Sequence, residues 1–435
     1  MKSLLTSAMV SGGVMVIWAG FGANLAAAAV PTFSKDVAPI LYQNCATCHR
    51  AGETAPMSLL TYQDARPWAK SIREYVSRGQ MPPWHATEPR GYFLNDRRLT
   101  EADKQTLISW ADGGAPEGNP KDLPPAPKFA EGWQIGKPDV VLTMAKPFDV
   151  PAKGTIDYQY FTVPTNFTED KWVQAMEIRP GVRRVVHHAI VYMKEPEGTP
   201  MTVGFVPVLP RMPRRNPPAG GTAQKREDAS PGVFLAGTAP GAPPMVFQPG
   251  EAIKIPAGST LVFQMHYTAN GQAAEDQTSL GLIFAKEPPA REIHASAFLN
   301  PLFTLPAGAP DTAIDSAIEF REDAHITSLI PHTHLRGKSW QYRLIYPDGR
   351  SEIVLDVPHY DFNWQTWYTF AKPLEVPKGS RLEATAHYDN SVNNPSNPNP
   401  KVDVRWGDQT WEEMQFTGMT YYLDHPAPVN ATAKR

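Results

Sequence analysis

The sequence predicts a multidomain protein: an all-α segment, then two mainly antiparallel β-sandwiches of jelly-roll-like type. Three observations predict it. Residues 33–114 carry apolar residues at helical spacing, residues 139–423 read as short alternating strands punctuated by turn-formers, and a Pro/Gly-rich stretch separates the two regimes. At 435 residues the chain is also too long for one ordinary core.

Taken in order, Lys2, the apolar run 10–21 and Ala26-Ala27-Ala28-Ala29 have the layout of a secretory leader cleaved near Ala29. The expected partition is leader 1–29, helical domain 30–114, Pro-rich linker 115–138, first sandwich 139–300 and second sandwich 301–435. The mature protein is expected to be periplasmic or secreted, with no stable membrane span. Lys+Arg 41 against Asp+Glu 44 gives a net charge of -3, which offers no electrostatic footprint for nucleic acid or anionic membrane.

Residues 35–42, 62–76 and 101–112 are the candidate helices. Candidate strands include 140–144, 158–163, 171–178, 185–192 and 260–267, while 195–250 reads as a long Pro/Gly-rich loop. One repeat crosses the β region. Pro256-Ala257-Gly258-Ser259-Thr260-Leu261 followed by His266-Tyr267 matches Pro377-Lys378-Gly379-Ser380-Arg381-Leu382 followed by His387-Tyr388, which predicts two sandwiches related by duplication with a boundary near Asn300.

The only two cysteines lie in Cys45-Ala46-Thr47-Cys48-His49. This is the C-x-x-C-H spacing of covalent haem attachment, in which the thiols form thioethers and the imidazole binds iron. A redox dithiol is the alternative, and the trailing histidine and helical setting favour haem. Met81, in Gln80-Met81-Pro82-Pro83, is the candidate sixth ligand, with Met57 and His85 as rivals. Here the segment resembles the cytochrome c family, whose axial methionine commonly lies beside prolines. One covalent haem c is therefore expected, and with it an N-terminal cytochrome c domain.

Of 12 histidines, five fall in strand-like contexts: His187-His188, His266 and His332-Thr333-His334. Residues two apart on a strand share a face, so His332 and His334 can grip one metal directly. Adjacent His187 and His188 point to opposite faces of an ideal strand and share a metal only if the strand twists or bulges, or if the rings use different nitrogens. His294, His325, His359 and His425 are expected to be surface or core residues.

On these motifs, residues 139–423 resemble the copper type II, ascorbate-dependent monooxygenases, the family of peptidylglycine alpha-hydroxylating and dopamine beta-monooxygenases. Val186-His187-His188 resembles the family's paired histidines, and Gln264-Met265-His266-Tyr267 its Gln-x-His-Tyr segment. His332-Thr333-His334 resembles its His-Thr-His, and Trp406-Gly407 through Glu412-Glu413-Met414 the segment with its ligand methionine. The resemblance implies two copper ions: an electron-storing one on His187, His188 and His266, and a dioxygen-binding, catalytic one on His332, His334 and Met414. Internal symmetry offers His387 in place of Met414. Imidazole suits copper in both oxidation states and a thioether favours Cu(I).

The resemblance further implies hydroxylation of a C–H bond of a small-molecule substrate by dioxygen. The fused haem would relay electrons from an external electron donor. Two departures bear on substrate. Where the peptide-hydroxylating member has an arginine two residues before His-Thr-His, this chain has Ile330, and after the methionine it reads Gln415-Phe416-Thr417-Gly418. Neither Ile330 nor Phe416 binds a carboxylate by charge, so a peptide with a free C-terminal glycine is not expected as substrate. The family's disulfide cysteines are absent. The competing reading is a periplasmic electron-transfer or copper-binding protein without hydroxylase activity.

Overall fold

The computed structural model describes residues 29–53, 55–129, 132–197, 204–208, 232–239 and 242–424. The expected leader lies outside the described residues but for Ala29. Among the described residues no helix is long and apolar enough to cross a membrane.

The helical segment packs around Phe33, Leu107 and Trp110. The predicted helix 101–112 forms as Glu101–Asp112, capped by the Thr100 hydroxyl, which accepts from the Asp103 N–H. The predicted helix 62–76 is instead broken: Tyr62–Ala65, a 3-10 turn Arg66–Trp68 and Ala69–Ser77. Pro67 has no N–H to continue the ladder. The first helix opens as a π-turn, Phe33–Val37, before Ala38–Asn44. The first part of the expected linker is docked: the Pro116 carbonyl accepts from Phe33 N and Trp110 Nε1, and the Ala115 carbonyl accepts from the Tyr62 hydroxyl.

The β region is built on one nine-stranded sheet. Its order is Val140–Thr143, Ser279–Phe284, Lys171–Arg179, Glu251–Ile255, Arg291–Leu299, Phe416–Leu423, Ala324–His332 and Tyr368–Val376, with Met245–Val246 beside Lys171–Arg179. A four-stranded sheet (Gln159–Pro164, Thr260–Tyr267, Val186–Lys194, Val233–Thr238) covers one half, and their inner faces share a core that includes Val173, Ile253, Leu261 and Phe263. A five-stranded sheet (Ser351–Val357, Gly337–Ile345, Arg381–Tyr388, Thr312–Phe320, Phe205–Pro207) covers the other half, around Ile326, Trp340, Tyr342 and Met419. The two sandwiches are thus fused through a continuous sheet. Their seam is a parallel pairing of Arg291–Leu299 with Glu251–Ile255.

Two features depart from the segment-by-segment reading. The stretch read as a long loop contributes three short strands, and one of them, Phe205–Pro207, pairs with Thr312–Phe320 of the far sandwich. Residues 209–231 of that stretch are not among those described. Secondly, residues 84–95 leave the helices and strap the second sandwich: Trp84 and Phe93 sit in its core against Tyr368, and Phe93 bridges to Phe370. Asn95 holds the same strand through the Trp367 carbonyl and the Thr369 N–H.

Candidate metal centre

The strand Val186–Lys194 pairs with Thr260–Tyr267 so that His188 faces His266 and Val186 faces Tyr267, which leaves His187 as the extra residue of a β-bulge. A bulge re-aims the side chain it carries. The adjacent histidines, which an unbroken strand would separate, therefore reach one site. Nδ1 of His187 lies 3.1 Å and Nδ1 of His266 lies 3.3 Å from Nδ1 of His188, and the three residues form a potential metal-holding group.

Burial pushes His187 down to about 4 and His266 to about 3, and holds His188 well below its ordinary value with help from its imidazole neighbours. All three rings are neutral at pH 7. The Nε2 atoms of His188 and His266 meet the hydroxyls of Tyr158 (3.3 Å) and Thr410 (3.1 Å). With N–H directed at those hydroxyls, the Nδ1 lone pairs of His188 and His266 face one another with Nδ1 of His187 beside them, an arrangement that a cation relieves.

His332 ends its strand and His334 follows it, with ring centroids 5.2 Å apart. These rings present the opposite nitrogen. His332 Nδ1–H donates to Gln365 Oε1 at 2.9 Å, and His334 Nδ1–H donates to the Glu412 carbonyl at 3.2 Å. Nε2 is thereby the free donor atom of each. In His334 it is buried without any hydrogen-bond partner, which fits a metal ligand. Burial lowers His332 to about 4 and holds His334 well below its ordinary value.

The backbone here is fixed by a carboxylate that motif reading passed over as a flank. Fully buried Glu413 accepts from His334 N (2.8 Å) and Arg336 N (2.6 Å), and buried Arg336 donates to Asn390 Oδ1 and the Trp411 carbonyl. Burial pushes Glu413 up to about 8, opposed by those N–H groups and the guanidinium. Met414 follows directly, its carbonyl accepting from the Tyr388 hydroxyl.

His387, the symmetry-related rival, is not brought to this site. Its Nδ1 lies 2.9 Å from Asp311, beside Lys338. The reason is visible in the register. The strand Gly337–Ile345 carries a bulge at the position equivalent to His187, but its extra residue is Lys338, and Ser339 stands opposite His387 as His188 stands opposite His266. The duplication is real in the backbone, and its second copy carries an ion-paired cluster. His332 and His334 lie on a different strand altogether.

The two histidine sets adjoin. His188 and His332 have ring centroids 5.9 Å apart, and Phe362 stacks on His187 at 4.8 Å while lying 6.0 Å from His334. A small cleft open to solvent is lined by His188 and His332, one from each set, together with Phe234, Ile330, Trp367 and Phe416. Gln365 and Phe362 carried no motif, and only the fold reveals them.

In the N-terminal motif, Cys48 N and His49 N both reach the Cys45 carbonyl in one helical turn, so the two thiols and the imidazole issue from adjacent positions. The cysteines are not joined to each other. Burial raises Cys45 to about 12 and raises Cys48, and the lowered His49 ring has Nδ1 buried without a partner. Free thiols and an unsatisfied imidazole fit covalent haem. Met81 is half-buried, joined by a cis bond to Pro82. Of its rivals, Met57 packs on the helical core, and burial lowers His85 below its ordinary value. Glu53, just past the motif, lies 3.6 Å from Arg183, which leads into the His187 strand. Of the remaining histidines, His325 pairs with Asp424 at 2.8 Å, His294 packs on Tyr421, His359 is exposed, and His425 lies outside the described residues.

Residues 311–433 match the C-terminal domain of the copper type II ascorbate-dependent monooxygenases. That stretch holds His332, His334 and Met414; His187, His188 and His266 precede it. No curated protein matches the chain. Among solved structures, the major capsid protein P2 of bacteriophage PM2 aligns at 8% identity and a TM-score of 0.28, covering 65% of this chain and 97% of its own. A secreted protein of Eubacterium rectale (8%, TM-score 0.20, covering 62% and 70%) and allantoicase of Saccharomyces cerevisiae (10%, 0.19, 63% and 80%) are similar at a lower level. Likenesses this weak bear on neither fold nor function.

Proposed function

We propose that this chain is an exported, copper-dependent monooxygenase that hydroxylates a C–H bond of a small molecule, with one covalent haem c in its helical segment. The reading rests on one observation: three imidazoles with Nδ1 atoms gathered within hydrogen-bond distance adjoin a second set in which buried His334 Nε2 has no partner, and the second set lies in the stretch that matches the C-terminal domain of a copper monooxygenase family. In this reading His187, His188 and His266 hold one copper, and His332, His334 and Met414 hold the other. When bound, copper supplies one-electron chemistry that lets dioxygen place one oxygen atom in a C–H bond while the other leaves as water, with two electrons and two protons taken up.

The protein's own groups do the positioning. Gln365 and the Glu412 carbonyl hold Nδ1–H of His332 and His334 and so turn Nε2 toward the ligand position. The Tyr158 and Thr410 hydroxyls orient the first set with Nδ1 inward. Ile330, Trp367 and Phe416 give the space beside His332 an apolar wall. Cys45, Cys48 and His49, with Met81 as sixth ligand, would hold the haem, a one-electron store. Glu53, just past the cysteine motif, contacts Arg183 at the start of the His187 strand, so the segment that would hold the haem is tied to the strand that would hold copper.

The test is metal analysis followed by turnover. The purified chain should bind about two coppers per haem, and anaerobic reduction of the haem should bleach the cupric signal in the same molecule. Dioxygen uptake should then be coupled to a hydroxylated product. Copper binding with no such coupling would leave an electron-transfer or copper-handling protein.

A further inference from the structure

We infer that Glu412 is a positioning residue for both histidine sets at once: its carboxyl closes the turn 407–414, and that one turn orients a ring in each set. The inference rests on the proposed metal role of the two sets and adds a residue that governs them together.

The ends of the turn are stitched by Gly407 N, which donates to the Glu413 carbonyl at 3.1 Å, and by Glu413 N, which donates to the Arg405 carbonyl at 3.2 Å. Glu412 closes it from within. Its N–H donates to the Gln409 carbonyl at 2.9 Å, and its Oε2 accepts from Gln409 N at 3.0 Å, a reciprocal pair that fixes residues 409–412. The same carboxyl lies over Gly407, where a Cβ would collide with it. Glycine at this position is what leaves the carboxyl its room.

The closed turn reaches both sets. The Thr410 hydroxyl meets His266 Nε2 at 3.1 Å. Gln409 Oε1 accepts from the N–H of Tyr158 at 3.3 Å, and the Tyr158 hydroxyl lies 3.3 Å from His188 Nε2. Two residues beyond Thr410, the Glu412 carbonyl holds Nδ1 of His334 at 3.2 Å, and Met414 follows. Thr410 and the Glu412 carbonyl therefore belong to one fixed piece of backbone, and opening it displaces both. Metal-holding imidazoles take their direction from such outer partners. The Glu412 carboxyl itself rests on the turn's backbone and acts on the rings only through it.

The test uses the full chain, kept reduced and free of copper, with isotope-labelled histidine and nitrogen NMR. Glu412→Ala should shift the ring signals of both His266 and His334, while those of His325 and His387, held by Asp424 and Asp311, stay in place. Gly407→Ala, which displaces the carboxyl without removing it, should give the same pair of shifts. Glu412→Gln, which keeps an acceptor for Gln409 N, should restore the parent spectrum. In a chelator competition on the copper-loaded chain, Glu412→Ala should weaken each of two cupric populations by about tenfold or more. Shifts confined to His334, shifts absent from both alanine variants, or a loss of affinity in one population alone overturns the inference. Paired shifts in a chain that takes up no copper would uphold the hold of the turn on both rings and sink the copper reading, whereas two coppers bound without paired shifts would do the reverse.

Discussion

The imidazole rings of His188 and His332 lie 5.9 Å apart, centroid to centroid, although one belongs to the four-stranded sheet and the other to the end of a strand in the nine-stranded sheet. Two ligand sets that the sequence presents as separate therefore share a boundary. Removing His188 should disturb both. In copper-loaded protein, His188→Ala is expected to change the electron paramagnetic resonance parameters of both cupric populations, and His266→Ala those of one. A second population unmoved by His188→Ala would mean that the sets act independently.

Gln365 should matter without touching metal. It fixes the His332 ring by a 2.9 Å bond to Nδ1, and loss of such an orienting partner typically costs about 10–100-fold in metal affinity. Gln365→Leu should weaken the His332/His334 site by that order in a chelator competition, and Gln365→Glu, which keeps an acceptor, should recover much of the loss. Equal affinity in all three proteins would remove Gln365 from the site.

The choice between Met414 and His387 has a direct readout. His387 is committed to Asp311 on the solvent-facing side of its strand, whereas Met414 adjoins the Glu413 anchor of His334. Met414→Ala should alter the Cu(I) X-ray absorption signature by loss of a sulfur scatterer, and His387→Ala should leave it unchanged.

The strap of residues 84–95 makes the helical segment and the second sandwich mechanically one. Phe93 is 2% exposed and packs on Trp84, Tyr92, Tyr368 and Phe370. Phe93→Ala should destabilise the protein by about 3–5 kcal/mol, seen as a lower urea midpoint in tryptophan fluorescence. A loss under about 1 kcal/mol would mean that the strap is peripheral.

Much of the local structure was legible because its signals are local. The Glu101–Asp112 helix follows from its Thr100 cap and periodicity, and the Thr260–Tyr267 strand runs over the residues its pattern indicates. The β-sandwich class was legible for the same reason. Reading 62–76 as one helix gave too little weight to Pro67, and reading 195–250 as loop missed strands of two to six residues, too short to show a period. The repeat was the instructive case. It correctly marks a shared turn and strand, yet it suggested His387 as a ligand, because a repeat in sequence does not say which residue the neighbouring strand sets opposite it.

The sequence by itself determined the inventory: which imidazoles, thiols and thioethers exist, and that His332 and His334 stand two residues apart, although the strand ends at His332 and the approach of the two rings is therefore set by the turn that follows. Tertiary structure decided which of these groups meet. It supplied the bulge that turns His187 toward His188, the register that leaves His387 with Asp311, and the Gln365 and Glu413 contacts that choose a nitrogen on each ring. Each of these depends on pairing between residues up to about eighty positions apart, and such pairing is set by the packing of whole sheets, which no local pattern encodes.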